Sequence, residues 1–207
     1  MAKLRNYLPY LILLGMFGLL AWLVYLNPVL GVDTTVSGFI QGISLPGFDG
    51  FMGFISRLGN FPAWVISPVA AVIWLWCKGY RLQSVICGLV PAVTALIVGI
   101  YKSLIDRPRP YGLEDGGTSF PSGHTAYALA CYGVIFFLIP RFIRDPLLRL
   151  VLRLVCLVPI FFMGISRVYL NAHWPSDVLA SYLLAGAVLG IGLTYLRLRL
   201  AKGVNHA

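Results

Sequence analysis

Apolar residues in this chain run in long, unbroken blocks. The blocks predict helices at about 8–26, 61–77, 83–103, 122–140, 149–167 and 177–196. Several reach the roughly 20 residues that a helix needs to cross a bilayer. Inside lipid only helices and closed barrels satisfy their own backbone, and barrel strands alternate apolar with polar positions. That alternation is missing here. The pattern predicts an all-α, polytopic membrane protein, a bundle of six transmembrane helices forming one membrane-embedded domain over residues 1–207. The first block follows Lys3 and Arg5, as a secretory signal core would. It exceeds the roughly 7–15 residues of such a core, and Asn27-Pro28 is a poor cleavage site, so it reads as a retained span.

The segment between the first two blocks, about 28–60, is rich in glycine and aromatic residues. Phe51, Phe54, Ile55 and Leu58 follow the spacing of one apolar helical face. That face suits either a helix lying at the membrane interface or plain packing across the bundle.

Composition agrees with lipid as the solvent. The chain is 59% hydrophobic and 11% charged, where a soluble domain carries roughly 25% charge. The net charge of +9 raises the question of nucleic acid. The cations sit in short groups between apolar blocks, not in one exposed stripe, so the reading is membrane lipids and no nucleic acid. Cys77, Cys87, Cys131 and Cys156 fall within or at the ends of apolar blocks without metal-ligand spacing, and read as inert, buried thiols.

The positive-inside rule sets the orientation. Eleven of sixteen cations (Lys3, Arg5, Lys78, Arg81, Arg141, Arg144, Arg149, Arg153, Arg197, Arg199 and Lys202) fall on one side, so both termini are expected to be cytoplasmic. Arg57, Lys102, Arg107, Arg109 and Arg167 break the rule on the other side and need their own explanation.

Three clusters hold most of them. The first is Lys102-Ser-Leu-Ile-Asp-Arg-Pro-Arg109-Pro110, where Pro108 and Pro110 end the helix and turn Arg109 back toward the bundle mouth. The second is Phe120-Pro121-Ser122-Gly123-His124 at a helix start, where unpaired N–H groups suit an anion, glycine allows close approach and His124 falls in the first turn. The third runs from Ser166-Arg167 through His173 to Asp177. One helical turn separates the last two, which would set a carboxylate beside an imidazole. Singly, each has a bland reading: snorkelling cations, a serine cap, an aspartate cap. Together, Lys102, Arg109 and Arg167 converging at one bundle end call for a multiply charged anion such as phosphate, and two histidines beside it supply a nucleophile and an acid.

At these residues the chain resembles the type 2 phosphatidic acid phosphatase superfamily. Its signature, Lys-x6-Arg-Pro, then Pro-Ser-Gly-His, then Ser-Arg-x5-His-x3-Asp, occurs here in order over 102–177. The resemblance implies a lipid phosphate phosphatase of the plasma (inner) membrane with its site on the extracytoplasmic face. It implies that His173 attacks phosphorus and becomes a phosphohistidine, with Asp177 setting its tautomer, and that His124 protonates the leaving group. Lys102, Arg109, Arg167, Ser122 and Gly123 would bind the phosphoryl oxygens, with no metal and no cofactor. Undecaprenyl pyrophosphate fits an outward-facing site best. Phosphatidic acid, phosphatidylglycerol phosphate, lipid A phosphates and transfer to another acceptor stay open.

Two other classes compete. His124, His173 and Asp177 form a two-histidine, one-carboxylate set, but three neighbouring cations would repel a divalent ion. A transporter should carry polar groups near the midplane and often shows internal repeats; here they lie at span ends, and no repeat is visible.

Overall fold

The computed structural model describes residues 2–60, 63–110 and 117–204. After a short helical turn, α1 (Ala2–Arg5), the long apolar blocks form α2 (Leu8–Leu26), α6 (Arg81–Leu104), α7 (Gly123–Phe142), α8 (Pro146–Tyr169) and α9 (Pro175–Val204). These five are long and apolar enough to cross a membrane. The sixth expected span is α5 (Ala63–Cys77), 15 residues long. At 1.5 Å per residue it extends only about 22 Å, short of the roughly 30 Å hydrocarbon core. The first two residues expected for it, 61 and 62, lie outside the described residues. The described residues contain no strand, so the all-α membrane architecture stands, with five helices long enough to span and one shorter apolar helix where a sixth span was expected.

Caps set the helix starts where they can be seen. Asp145 accepts the Leu148 N–H at 2.6 Å and Pro146 opens α8, both favourable at a helix start. Proline likewise opens α9.

α7 and α9 form the hub. α9 packs on α2, α6 and α7, while α8 packs on α7 and on α4. Small residues bring these helices close, as expected where lipid supplies no hydrophobic push. A Cβ at Gly133 would stand 2.5 Å from a Leu189 methyl, and one at Gly192 2.6 Å from Val90. One apolar cluster joins α2, α6, α7 and α9 through Phe17, Val24, Val98, Phe120, Ala126 and Leu184. Another, built on Ile86, Val90, Val134, Leu138 and Leu189, brings in α5. Leu19, Trp22, Leu96, Val155 and Phe161 face outward, more than 45% exposed, as lipid-facing side chains should be. Three of the four cysteines are buried; Cys77, at the end of α5, is exposed, contrary to the sequence reading.

The 28–60 segment folds into two short helices, α3 (Gly31–Gln41) and α4 (Phe48–Leu58). α3 lies on α8 and α9, and α4 on α8 and α5. The expected apolar face of α4 divides. Ile55 is fully buried, Leu58 packs beside Met163, and Phe51 meets Phe162 edge-on at 5.1 Å, but Phe54 faces out. Packing across the bundle therefore accounts for most of this face. Both helices end up over the same end of the bundle as the three signature clusters.

Candidate active site

Four backbone breaks build the site. α6 ends at Leu104, the chain returns through 117–122 to start α7, and α8 ends at Tyr169 before a tight turn into α9. Phe120 anchors the returning strand of chain, fully buried against Phe17 with ring centroids 6.1 Å apart. Asn171 takes a left-handed conformation, φ 59°, in the α8–α9 turn; asparagine tolerates it better than most residues. Gln41 of α3 holds that turn by donating to Asn171 Oδ1 at 2.6 Å and to the Val168 carbonyl at 3.0 Å.

His173 sits in this turn, 2% exposed. Its Nδ1 lies 3.5 Å from Asp177 Oδ2 and 3.4 Å from Ser119 Oγ. Asp177, three residues into α9, accepts the Trp174 N–H at 2.9 Å, capping the helix, and accepts Ser119 O–H on the same Oδ2. Its Oδ1 takes the Arg107 guanidinium. Burial holds the His173 imidazole down to about 4; Arg167 and Lys102 push the same way, and Asp177 opposes them. The ring is neutral at ordinary pH. With Nδ1 toward the carboxylate, Nε2 is the nitrogen that faces away from it.

His124 stands in the first turn of α7. Its Nε2 is 2.8 Å from Asn60 Oδ1, and the α4 end packs on its ring at Gly59. Arg167, Arg109, Lys102 and the His173 imidazole all lie within electrostatic reach of it. Lys102 Nζ donates to the Thr118 carbonyl at 2.7 Å. Arg109 donates to Gly117 O at 3.0 Å and Ala172 O at 3.3 Å, so the two prolines do turn it inward. Arg167 Nη1 donates to Ser56 Oγ, whereas its Nε is buried with no acceptor among the described residues. Ser122 is buried at the N-cap position of α7, but its Oγ pairs with Thr125 Oγ1 at 3.0 Å instead of capping the backbone. A Cβ at Gly123 would meet only ordinary contacts, 3.5 Å from Tyr127 and 3.9 Å from Val98, so packing alone does not demand glycine there.

The eight residues expected from sequence thus gather at one bundle end. Sequence reading missed their supports. Arg107, grouped there only with the outer-face cations, is 1% exposed and bridges Asp33 to Asp177. Ser119, Ser56, Gly59 and Asn60 also went unread. Among the described residues, no three His, Cys, Asp or Glu side chains come together as metal ligands.

Two imidazoles within electrostatic reach of one another, one backed by a carboxylate, thus stand beside three cations at one end of a helical membrane bundle. The chain belongs to the PAP2 superfamily, whose sequence profile matches residues 83–201. It is 28% identical over 172 residues to phosphatidylglycerophosphatase B of Bacillus subtilis, covering 80% of this chain and 84% of that one. It is 26% identical over 190 residues to undecaprenyl-diphosphatase of Sulfolobus acidocaldarius, covering 84% and 85%. Its fold matches a crystal structure of a transmembrane PAP2-type phosphatidylglycerolphosphate phosphatase from Bacillus subtilis with a TM-score of 0.78, at 24% identity, over 91% of this chain and 96% of that one. The chain is a membrane phosphatase.

Proposed function

We propose that the protein hydrolyses a phosphomonoester or pyrophosphate carried by a membrane lipid, with undecaprenyl pyrophosphate as the favoured substrate, at the extracytoplasmic face of the cell membrane and with both termini cytoplasmic. Phosphatidic acid, phosphatidylglycerol phosphate and lipid A phosphates are the alternatives. The observation that carries this reading is the convergence of His173, His124 and three cations from three separate stretches of the chain, tied together by links such as Arg107–Asp177, which spans 70 residues.

In this mechanism the neutral His173 Nε2 attacks phosphorus while the bond to the leaving oxygen breaks and His124 donates the proton that oxygen needs. Water then attacks the phosphohistidine; His124 takes its proton, the N–P bond breaks and inorganic phosphate leaves. Asp177 balances the positive charge on the imidazole as the N–P bond forms. Lys102, Arg109, Arg167, Ser122 and the Gly123 N–H hold the equatorial oxygens. In a loose transition state such placed charge does most of the catalysis, each donor contributing about 3 kcal/mol. The buried, unpartnered Arg167 Nε supports this role, as does a glycine at α7's start that packing does not explain.

The test is phosphate release by the purified protein in detergent from a panel of undecaprenyl pyrophosphate, phosphatidic acid and phosphatidylglycerol phosphate. The pyrophosphate should give the highest kcat/KM, and His173→Ala should lose about 10³-fold or more while keeping its fold. Near-normal turnover by His173→Ala would overturn the nucleophile assignment. For orientation, Cys at the exposed Asp106 position should react with a membrane-impermeant thiol reagent in intact cells; protection there would place the site on the other side.

A further inference from the structure

One densely bonded side chain among the described residues is not used by the chemistry above. Arg107 donates Nε–H to the Pro28 carbonyl at 2.6 Å, Nη1–H to Ser176 Oγ at 2.8 Å and to Asp177 Oδ1, and Nη2–H to Asp33 Oδ2. Asp33, on α3, accepts the Ser176 N–H and O–H at 2.9 Å each and the Leu30 N–H at 3.1 Å. Its carboxylate thus sits on the Ser176 N–H in the first turn of α9, where negative charge is favoured. Asp33, Arg107 and Asp177 have fully buried side chains.

Charge counting gives this cluster a purpose. A buried guanidinium on Asp177 alone would neutralise the carboxylate that His173 needs. Asp33 supplies a second negative charge, so the triad as a whole carries one net negative charge. The oxygens of Asp177 divide the work: Oδ1 takes Arg107, while Oδ2 faces the imidazole. Resting on the phosphatase reading above, we propose that Asp33, acting through Arg107, is a positioning residue that keeps Asp177 effectively anionic toward His173 and fixes the start of α9 on which Asp177 stands. Asp33 lies outside the superfamily match at 83–201.

The groups that face His173 among the described residues are Asp177 from α9, Arg167 from α8, Lys102 from α6, His124 from α7 and Arg109 and Ser119 from the loops. Changing Asp33 touches none of them directly, whereas Arg107 bonds Asp177 Oδ1 itself. The experiment compares Asp33→Asn, Arg107→Gln and the double variant Asp33→Asn/Arg107→Gln, each purified in detergent and checked for thermal unfolding. Two readouts are followed: kcat and KM on a lipid phosphate, and the titration of His173 by NMR of histidine-labelled protein, with His173→Ala identifying its signal.

Asp33→Asn should lower kcat about tenfold or more with KM within about twofold, and move the His173 titration to lower pH. Arg107→Gln should move it to higher pH. The double variant, which returns the net charge to that of wild type, should recover titration and kcat toward wild type. Shifts of the same sign in both single variants, or a double variant worse than Asp33→Asn, would leave only a structural brace and overturn the proposal. If Asp33→Asn does not fold, the opposite shift in Arg107→Gln and its return in the double variant decide the matter. If wild type releases no phosphate from any lipid, the phosphatase reading fails while the NMR comparison still judges the charge coupling.

Discussion

Gly59→Ala tests how tightly the second histidine is held. Gly59 ends α4 with φ −87°, which alanine adopts without strain, so any effect comes from the added methyl carbon. That carbon would stand 3.1 Å from both His124 Cγ and Met163 Cε, and nearer still to His124 Cδ2. Carbon atoms rest about 3.5–4.0 Å apart, so the imidazole must retreat by about 1 Å or more and lose its 2.8 Å bond to Asn60. Misplacement of a reacting group by about 1 Å can cost about 10²-fold in rate, equivalent to about 2.7 kcal/mol on the barrier. Overpacking should lower stability by about 1–3 kcal/mol. The assay is kcat on a lipid phosphate alongside a thermal melt in the same detergent. A well-folded Gly59→Ala enzyme within twofold of the wild-type kcat would refute the claim that α4 positions His124.

Further outcomes follow from the same geometry. Because His173 is held at about 4, the free enzyme keeps its nucleophile neutral well below the ordinary histidine value near 6.5. The acid limb of kcat/KM should fall through about pH 4, and an inflection near 6.5 assigned to His173 would contradict its burial. For stability the sign is fixed by the same depression: the unfolded chain takes up this proton first, so this contribution is complete above about 6.5 and is lost as pH falls through the folded value of about 4. Vanadate, which mimics five-coordinate phosphorus, should inhibit competitively, since such mimics bind more tightly than substrate. Insensitivity at about 1 mM, the upper end of common substrate affinities, would count against a phosphohistidine mechanism.

The residues of the candidate site were legible because their spacing is local. Lys102 to Arg109 spans a helix end, Ser122 to His124 a helix start, and His173 to Asp177 a single turn, so each motif encodes its own geometry. Long apolar blocks likewise announced their helices. The sequence said least about what crosses the fold. Asp33 drew no reading from the sequence, and its bond to the Ser176 N–H joins residues 143 apart. Arg107 shares its stretch with Arg109, yet it points to a buried pair of carboxylates while Arg109 meets backbone carbonyls. Asn60 and Ser56 carried no signal at all, because helical periodicity describes a helix's own faces and not which neighbour folds over them. The apolar block ending at Cys77 gives a described helix of only 15 residues, because block length does not report helix bounds.

The two short helices after the first span have a consequence for engineering. Through Asp33, α3 grips the turn that carries His173, and through Ser56, Gly59 and Asn60 the end of α4 grips Arg167 and His124. A chimera that imports another phosphatase's 28–60 segment to change lipid preference therefore swaps the clamps of the chemistry along with any lipid contacts. Such grafts should travel with residues 107 and 119 as one cassette, or turnover will drop before selectivity can be read.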